Sequence, residues 1–415
     1  MFTENLYDEA MGAVIKKIKR LFPIARRRLG AALLSRLGRL FSSDKLVRDI
    51  FGTQQEKRVL MCHLPEAFDG TLPKYHTNYT ECYTVAQCFH KLGYSVDCAS
   101  RAMQGIDYSG YDIIFGINGE AFMGSFDGCM GKNQLHIFYT VGAQLFYSLS
   151  TTVHNMQHFY NRHGRRALSS YRYLHGSALN YYAYHLADDV ICLGNDFVKE
   201  QYVRECGNNA KFHSLPAFFF PCNGSAAEKD FSAKRRNILW FGSAGMLHKG
   251  LDIAIDFVCE NPQFTLHICG GSSAEREFWK YYKPIIDSHE NIIYHGFVDI
   301  EEKTFVSILD ECAILLNPSI NEAGAAAVLN VLGNSPMLPV YSKGTGLDLE
   351  DYGIEVPSVT YENFSSALRE ADEISDKEFE RRAYAVHHLV NENYTLEQYA
   401  LRMYDIIEKI VNKKR

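Results

Sequence analysis

The sequence contains no run of 18 or so apolar residues, so no segment of it is written to cross a membrane as a helix. Its early charged region is not followed by a continuous apolar stretch and a small-residue cleavage site, so no secretory leader is expected. Eleven cysteines are present, yet none forms a Cys-x-x-Cys pair or a zinc-like spacing. Cys192, Cys269 and Cys312 fall in predicted strands and helices and read as small buried thiols of a reducing, cytoplasmic compartment. The histidines offer no better metal site. His154, His158 and His163 stand four and five apart, with arginines rather than carboxylates around them. No metal and no resident cofactor is expected.

What is present is an ordinary globular composition: 415 residues, 47% hydrophobic and 22% charged. That length suits two domains, each large enough for its own core. Charge is divided unevenly along the chain. Residues 1–48 carry eleven Lys/Arg against four Asp/Glu, a net of +7, and the rest carries 32 against 45, a net of −13. The basic excess is thus confined to an N-terminal arm. Within it Met11, Val14, Ile15, Ile18, Leu21 and Phe22 recur at helical spacing, and after Pro23 the stripe resumes at Leu29, Leu33, Leu37 and Leu40. An apolar stripe flanked by cations suits a helix lying on an anionic membrane through residues 10–41. It also suits a helix packed on the protein itself or on a partner. The acidic body argues against nucleic acid.

From Asn237 to Val356 strands and helices alternate. NILWFGS ends in a turn, AGMLHKG, before the helix LDIAIDFVCE. FTLHICGG ends on Gly270 and Gly271, NIIYHGF follows, and AILLNPS runs into Glu322 and a helix that starts in small residues, EAGAAAVLN. This alternation predicts an α/β fold with a doubly wound parallel sheet. Ligands of such sheets bind outside the carboxyl ends of the strands. Ser243, Lys249, Gly270, Gly271, Ser319, Glu322 and Gly324 fall at those ends. Lys249 offers a cation to a diphosphate, and the helix start at Glu322 offers free N–H groups to an anionic or hydroxylated moiety. A nucleotide joined to a sugar fits that pairing.

WFGSAGMLHKGLD, HGFV at 295–298, NPSINEAGAAAVLN and PMLPVYSKGTGLDLEDYGIEV together resemble the C-terminal half of a retaining GT-B glycosyltransferase of the family-four type. The resemblance covers Asn237 to Arg415 well and the first half only in its rhythm of elements. It implies two Rossmann-like domains facing across a cleft, and a nucleoside diphosphate sugar as donor. The reaction it implies moves a hexose, with retention, to a glycan or lipid-linked acceptor in surface polysaccharide synthesis. A peripheral position on the inner face of the cell membrane follows as an expectation. Carried onto this sequence, the catalytic set is Lys249 and Glu322, with a histidine from the first domain, for which His154 is preferred over His136 and His76. The donor set is Gly242, Ser243, Gly270, Gly271, Ser272, Ser319, Ala323, Gly324, Ala325 and Asn330. Two departures stand out: Asn330 replaces the second Glu of the family motif, and Ser243 and Ala244 occupy the place of its Arg. They leave open a weakly catalytic module that binds nucleotide or a partner transferase.

RVLMC, YSVDC, YDIIFGI, HIFYT and DDVICLG predict a second parallel sheet upstream. The resemblance makes that half the acceptor domain, with Tyr75, His76 and Glu81 in the loop from Asp69 to Glu81 touching the acceptor. The expected organisation is an arm at 1–52, a first domain at 53–220, a linker at 221–236, a second domain at 237–390 and a terminal helix, 391–415, returning to the first domain.

Overall fold

The computed structural model describes residues 45–70, 72, 77–127, 133–166, 168, 177–223 and 229–413. The arm expected at 10–41 lies outside the described residues. The first domain is built on β1 (Leu46–Val47), β2 (Arg58–His63), β3 (Ser95–Ser100), β4 (Ile113–Gly116), β5 (Leu135–Thr140), β6 (Asp189–Leu193) and β7 (Phe212–Leu215). They form one sheet in the order β1-β3-β2-β4-β5-β6-β7. Only β1 is antiparallel; Leu46 pairs with Ala99, so the sheet already includes residues assigned by sequence to the arm. The connecting helices are α1 (Thr77–Lys91), α2 (Leu145–His163), α3 (Ser177–Leu186) and α4 (Asp196–Cys206). The central strands are buried on both faces, as runs such as Val59–Cys62 require, because helices cover a parallel sheet on both sides.

The second domain repeats the plan. Its strands are β8 (Asn237–Gly242), β9 (Thr265–Gly270), β10 (Ile292–Gly296), β11 (Ile314–Asn317), β12 (Leu338–Ser342) and β13 (Ile354–Val356). The order is β10-β9-β8-β11-β12-β13, all parallel. The helices are α5 (Leu251–Glu260), α6 (Arg276–Asp287), α7 (Lys303–Glu311), α8 (Ala326–Asn334), α9 (Tyr361–Glu373), α10 (Asp376–Asn393) and α11 (Leu396–Lys413). The chain winds from β8 through β9 to β10, then returns to the other side of β8 for β11. That reversal opens a crevice between the carboxyl ends of β8 and β11.

The chain passes between domains along Ala217–Phe220, which is buried; Phe218, Phe219 and Phe220 each lie under 6% exposed. This segment is fastened to α8 by two amides one helical turn apart. The Phe220 N–H donates to Asn330 Oδ1 at 2.8 Å, and the Cys222 N–H donates to Asn334 Oδ1 at 2.8 Å. Within the stretch expected as linker, the residues from Lys229 onward pack at the base of the second domain. Buried Lys229 donates to the carbonyls of Leu309, Cys312 and Pro336 and to Ser335 Oγ. The terminal helix α11 packs against α1 of the first domain. Its Tyr399 hydroxyl lies 3.2 Å from that of Tyr139 on β5.

Candidate active site

Gly242 ends β8 and Gly270 ends β9, and the two meet. A Cβ on Gly270 would stand 1.7 Å from the Gly242 carbonyl oxygen, and φ there is +99°, so only glycine fits. This bare backbone floors a cavity of about 420 Å³ that also reaches Ser243, Lys249, Asn317 and Glu322. The turn carrying Lys249 is clamped to the loop carrying Glu322. The His248 Nε2 donates to the Asn321 carbonyl at 2.9 Å, and the Ile320 N–H donates to the His248 carbonyl at 2.9 Å. Gly250 closes the turn at φ +65°, where a Cβ would collide with Pro318 at 2.5 Å. The clamp brings Lys249 Nζ onto Glu322 Oε1 as an ion pair, with Ser319 Oγ donating to the same oxygen at 3.2 Å. Both side chains are largely buried, Lys249 at 7% exposed and Glu322 at 11%.

Helix α8 points its first turn at this cavity, with Ala325, Ala326 and Ala327 on the wall. N–H groups at the start of a helix have no intrahelical acceptor and favour negative charge. The backbone before it turns sharply: Gly324 has φ +70° and Ala325 φ +36°. A left-handed alanine is a local strain that the surrounding fold maintains. Another potential anion contact is already occupied. The N–H groups of Gly245 and Met246, in the Gly-rich turn, donate to the carboxylate of Glu275 at 2.5 and 3.0 Å. Lys249 and the start of α8 are therefore the groups that face the cavity with positive character.

A second cavity of about 250 Å³ lies at the carboxyl ends of β3, β4 and β5 in the first domain. Arg101, Asn118, Thr140, Tyr184 and Tyr202 line it, together with His248 and Glu322 from the other domain. Val141, Glu322 and Ala323 belong to both cavities, so the two meet beside the Lys249–Glu322 pair.

Of the residues singled out from sequence, Lys249, Glu322, Gly242, Ser243, Gly270, Gly271, Ala323, Ala325 and Asn330 line the larger cavity. Ser319 stands behind it, bonded to Glu322, and Gly324 supplies the turn before α8. Ser272 is directed elsewhere: its carbonyl accepts from Trp279 Nε1 at 2.9 Å and its hydroxyl accepts from the Ala274 N–H. Asn330 reaches the cavity, but its Oδ1 is committed to the domain-crossing segment, leaving only the Nδ2 amide to a ligand. His154 lies on the exposed face of α2 and lines neither cavity. His136 is buried on β5, stacked on Phe126. Glu81 is also not in the cleft, because the chain becomes helical at Thr77 and Glu81 falls on the buried side of α1. Its Oε2 accepts from the Tyr139 hydroxyl at 3.0 Å, and burial pushes its carboxyl up from the ordinary range. Thr77 and Asn78, at the start of that helix, are the residues that reach the larger cavity. Tyr75 and His76 lie outside the described residues.

Sequence reasoning did not single out Arg101, His248 or Phe297, whereas the turn Asn118–Glu120 reads from sequence as cleft lining. Arg101 and Asn118 follow β3 and β4 directly, a position that the carboxyl-end rule marks in the first sheet as it does in the second. Phe297 is 77% exposed on the rim of the larger cavity, and an aromatic just past β10 was the available signal. Among the described residues no group of three or more His, Cys, Asp or Glu side chains is placed to hold a metal ion, and no helix is long and apolar enough to cross a membrane.

No protein-family model matches the chain, and no curated sequence matches it. Solved structures do. A sucrose-phosphate synthase from Thermosynechococcus elongatus superposes with a TM-score of 0.58 at 13% identity, over 86% of this chain and 100% of its own. Anabaena Alr3699/HepE, solved in complex with UDP, gives 0.57 at 11% identity, over 85% and 100%. A glycosyltransferase from Rickettsia africae gives 0.57 at 12%, over 86% and 99%. Two parallel-sheet domains aligned over nearly whole chains decide the architecture. The chain has the GT-B fold. At these identities the likeness is one of fold.

Proposed function

We propose that the protein is a glycosyltransferase that moves a hexose from a nucleoside diphosphate sugar to a glycan or lipid-linked acceptor with retention of configuration. The observation that carries this reading is the buried Lys249–Glu322 pair at the junction of the two cavities. In this reading the nucleotide lies over the Gly242–Gly270 floor. Its diphosphate faces Lys249 and the start of α8, and Glu322 orients the sugar through its hydroxyls. Bond cleavage builds negative charge on the leaving phosphate. A fixed cation and helix N–H groups stabilise that charge more in the transition state than in the ground state. The acceptor occupies the smaller cavity and approaches from the side of the leaving group, which is the geometry of retention. A lipid-linked acceptor is supported by Phe146, Leu149, Val153 and Tyr160, exposed apolar residues along α2 beside that cavity. Synthesis of a surface polysaccharide, with the protein held on the inner face of the membrane, is the setting that agrees with these features.

The test is turnover by the full chain with the donor it binds. Lys249→Ala is expected to lower it by roughly a hundred-fold or more, and proton NMR of the first-formed product is expected to show the donor's anomeric configuration. Undiminished turnover removes Lys249 from the mechanism, and an inverted product removes retention. A second reading is a nucleotide-binding module with weak catalysis. It is favoured by the commitment of the Gly245 and Met246 N–H groups to Glu275, and by Lys249 being the one cation lining the larger cavity among the described residues.

A further inference from the structure

The smaller cavity combines a preformed hydroxyl wall with two uncommitted polar groups. Thr140 Oγ1 and the Tyr202 hydroxyl lie 2.6 Å apart, and Tyr202 donates to the Gly142 carbonyl. Gln144 Nε2 donates to the Tyr184 hydroxyl, and Ser148 is bonded to Asn321. Those groups are held by one another. Arg101 and Asn118 are different. Arg101 follows β3 and makes only main-chain hydrogen bonds, and its guanidinium has no ion-pair partner among the described residues. Asn118 follows β4, and its Oδ1 is shielded from solvent without a hydrogen-bond partner. The one carboxylate on this cavity's wall among the described residues, Glu322, is already paired with Lys249. The wall thus presents one uncompensated positive charge, on a planar fork that matches phosphate or carboxylate.

Resting on the transferase reading above, we infer that the acceptor is an anionic sugar, bound with its phosphate or carboxylate on Arg101 beside Asn118. Arg101, an exposed residue, is specificity-determining in this assignment, since an anionic group would pair with its guanidinium where a neutral sugar leaves it to water. Phosphate could sit on the sugar itself or link the sugar to a carrier, and the probes separate these two sources.

Glucose, glucuronate, glucose 6-phosphate and glucose 1-phosphate are titrated into the full chain, with and without whichever of UDP, GDP, ADP or CMP it binds best. At least one anionic sugar is expected to bind about ten-fold or more tightly than glucose, the size of a charge-assisted hydrogen bond. Preference for the 6-phosphate or glucuronate places the anion on the sugar, and preference for the 1-phosphate places it at the carrier linkage. Arg101→Gln should erase the preference and Arg101→Lys should keep part of it, with nucleotide affinity unchanged in both. Anionic sugars binding no better than glucose, or nucleotide affinity falling with Arg101→Gln, overturns the assignment. Failure to bind any nucleotide sinks the donor reading instead, and the anion preference is read without nucleotide.

Discussion

Lys249 and Glu322 are ions held largely out of water, so each depends on the other for stability as well as for any chemistry. Removing one partner of a buried pair leaves an uncompensated charge and costs about 3–5 kcal/mol. Lys249→Met and Glu322→Gln are each expected to lose stability on that scale in denaturant unfolding. The double variant should recover most of it while remaining inactive. If the double variant is as unstable as the singles, the pair is not the interaction that holds these two loops. A second residue, Asp252 in the first turn of α5, titrates where it can be measured. Burial, reinforced by Asp256, raises its pKa from 3.8 to about 8, and Oδ1 has no hydrogen-bond partner. The folded chain therefore keeps a proton that the unfolded chain releases, so stability falls as pH rises from about 4 to about 8 and levels off above. Asp252→Asn removes this titration. Relative to wild type the variant should gain stability across that window, by up to ~1.4 kcal/mol per pH unit. A difference that does not change with pH contradicts the assignment.

At the scale of elements, the second domain was legible because five of its strands end in glycine or a small polar residue: Gly242, Gly270, Gly296, Asn317 and Ser342. The rule that ligands gather at carboxyl ends points to Lys249 and Glu322, which line one cavity. The first domain was harder to read. Polar-rich helices such as α2 carry their buried positions as Ser148, Thr152 and Asn155, which hide the apolar period. Without that helix, His154 could not be placed on its outer face. Glu81 was read as a loop residue because α1 begins with Thr77-Asn78-Tyr79-Thr80, which carries no strong start signal. Asn330 shows a different limit: which neighbour a side chain serves depends on a tertiary contact 110 residues away. Asn330→Ala strands the buried Phe220 N–H and is expected to cost about 1–3 kcal/mol, whereas Asn330→Asp keeps the acceptor and should lie close to wild type. Equal stability of all three chains would show that α8 does not hold the crossing segment.

At the scale of the molecule, the apolar core does not stop at the domain boundary. It runs from the first sheet through Phe218–Phe220 to Leu239 and Leu329, and along α11 to Met403 and Ile407. Polar side chains also join the domains: Ser148 with Asn321 at the cleft, Asn195 with Asp348, and Arg162 with Asp256 and Glu260. The account rests on that cleft holding a nucleotide sugar against Lys249. The most direct test is calorimetric titration of the folded full chain with UDP-, GDP-, ADP- and CMP-sugars, repeated on Lys249→Ala. Binding of one nucleotide class, weakened about ten-fold or more in the variant, is the predicted result. No binding to any of the four, or equal binding by the variant, would contradict it.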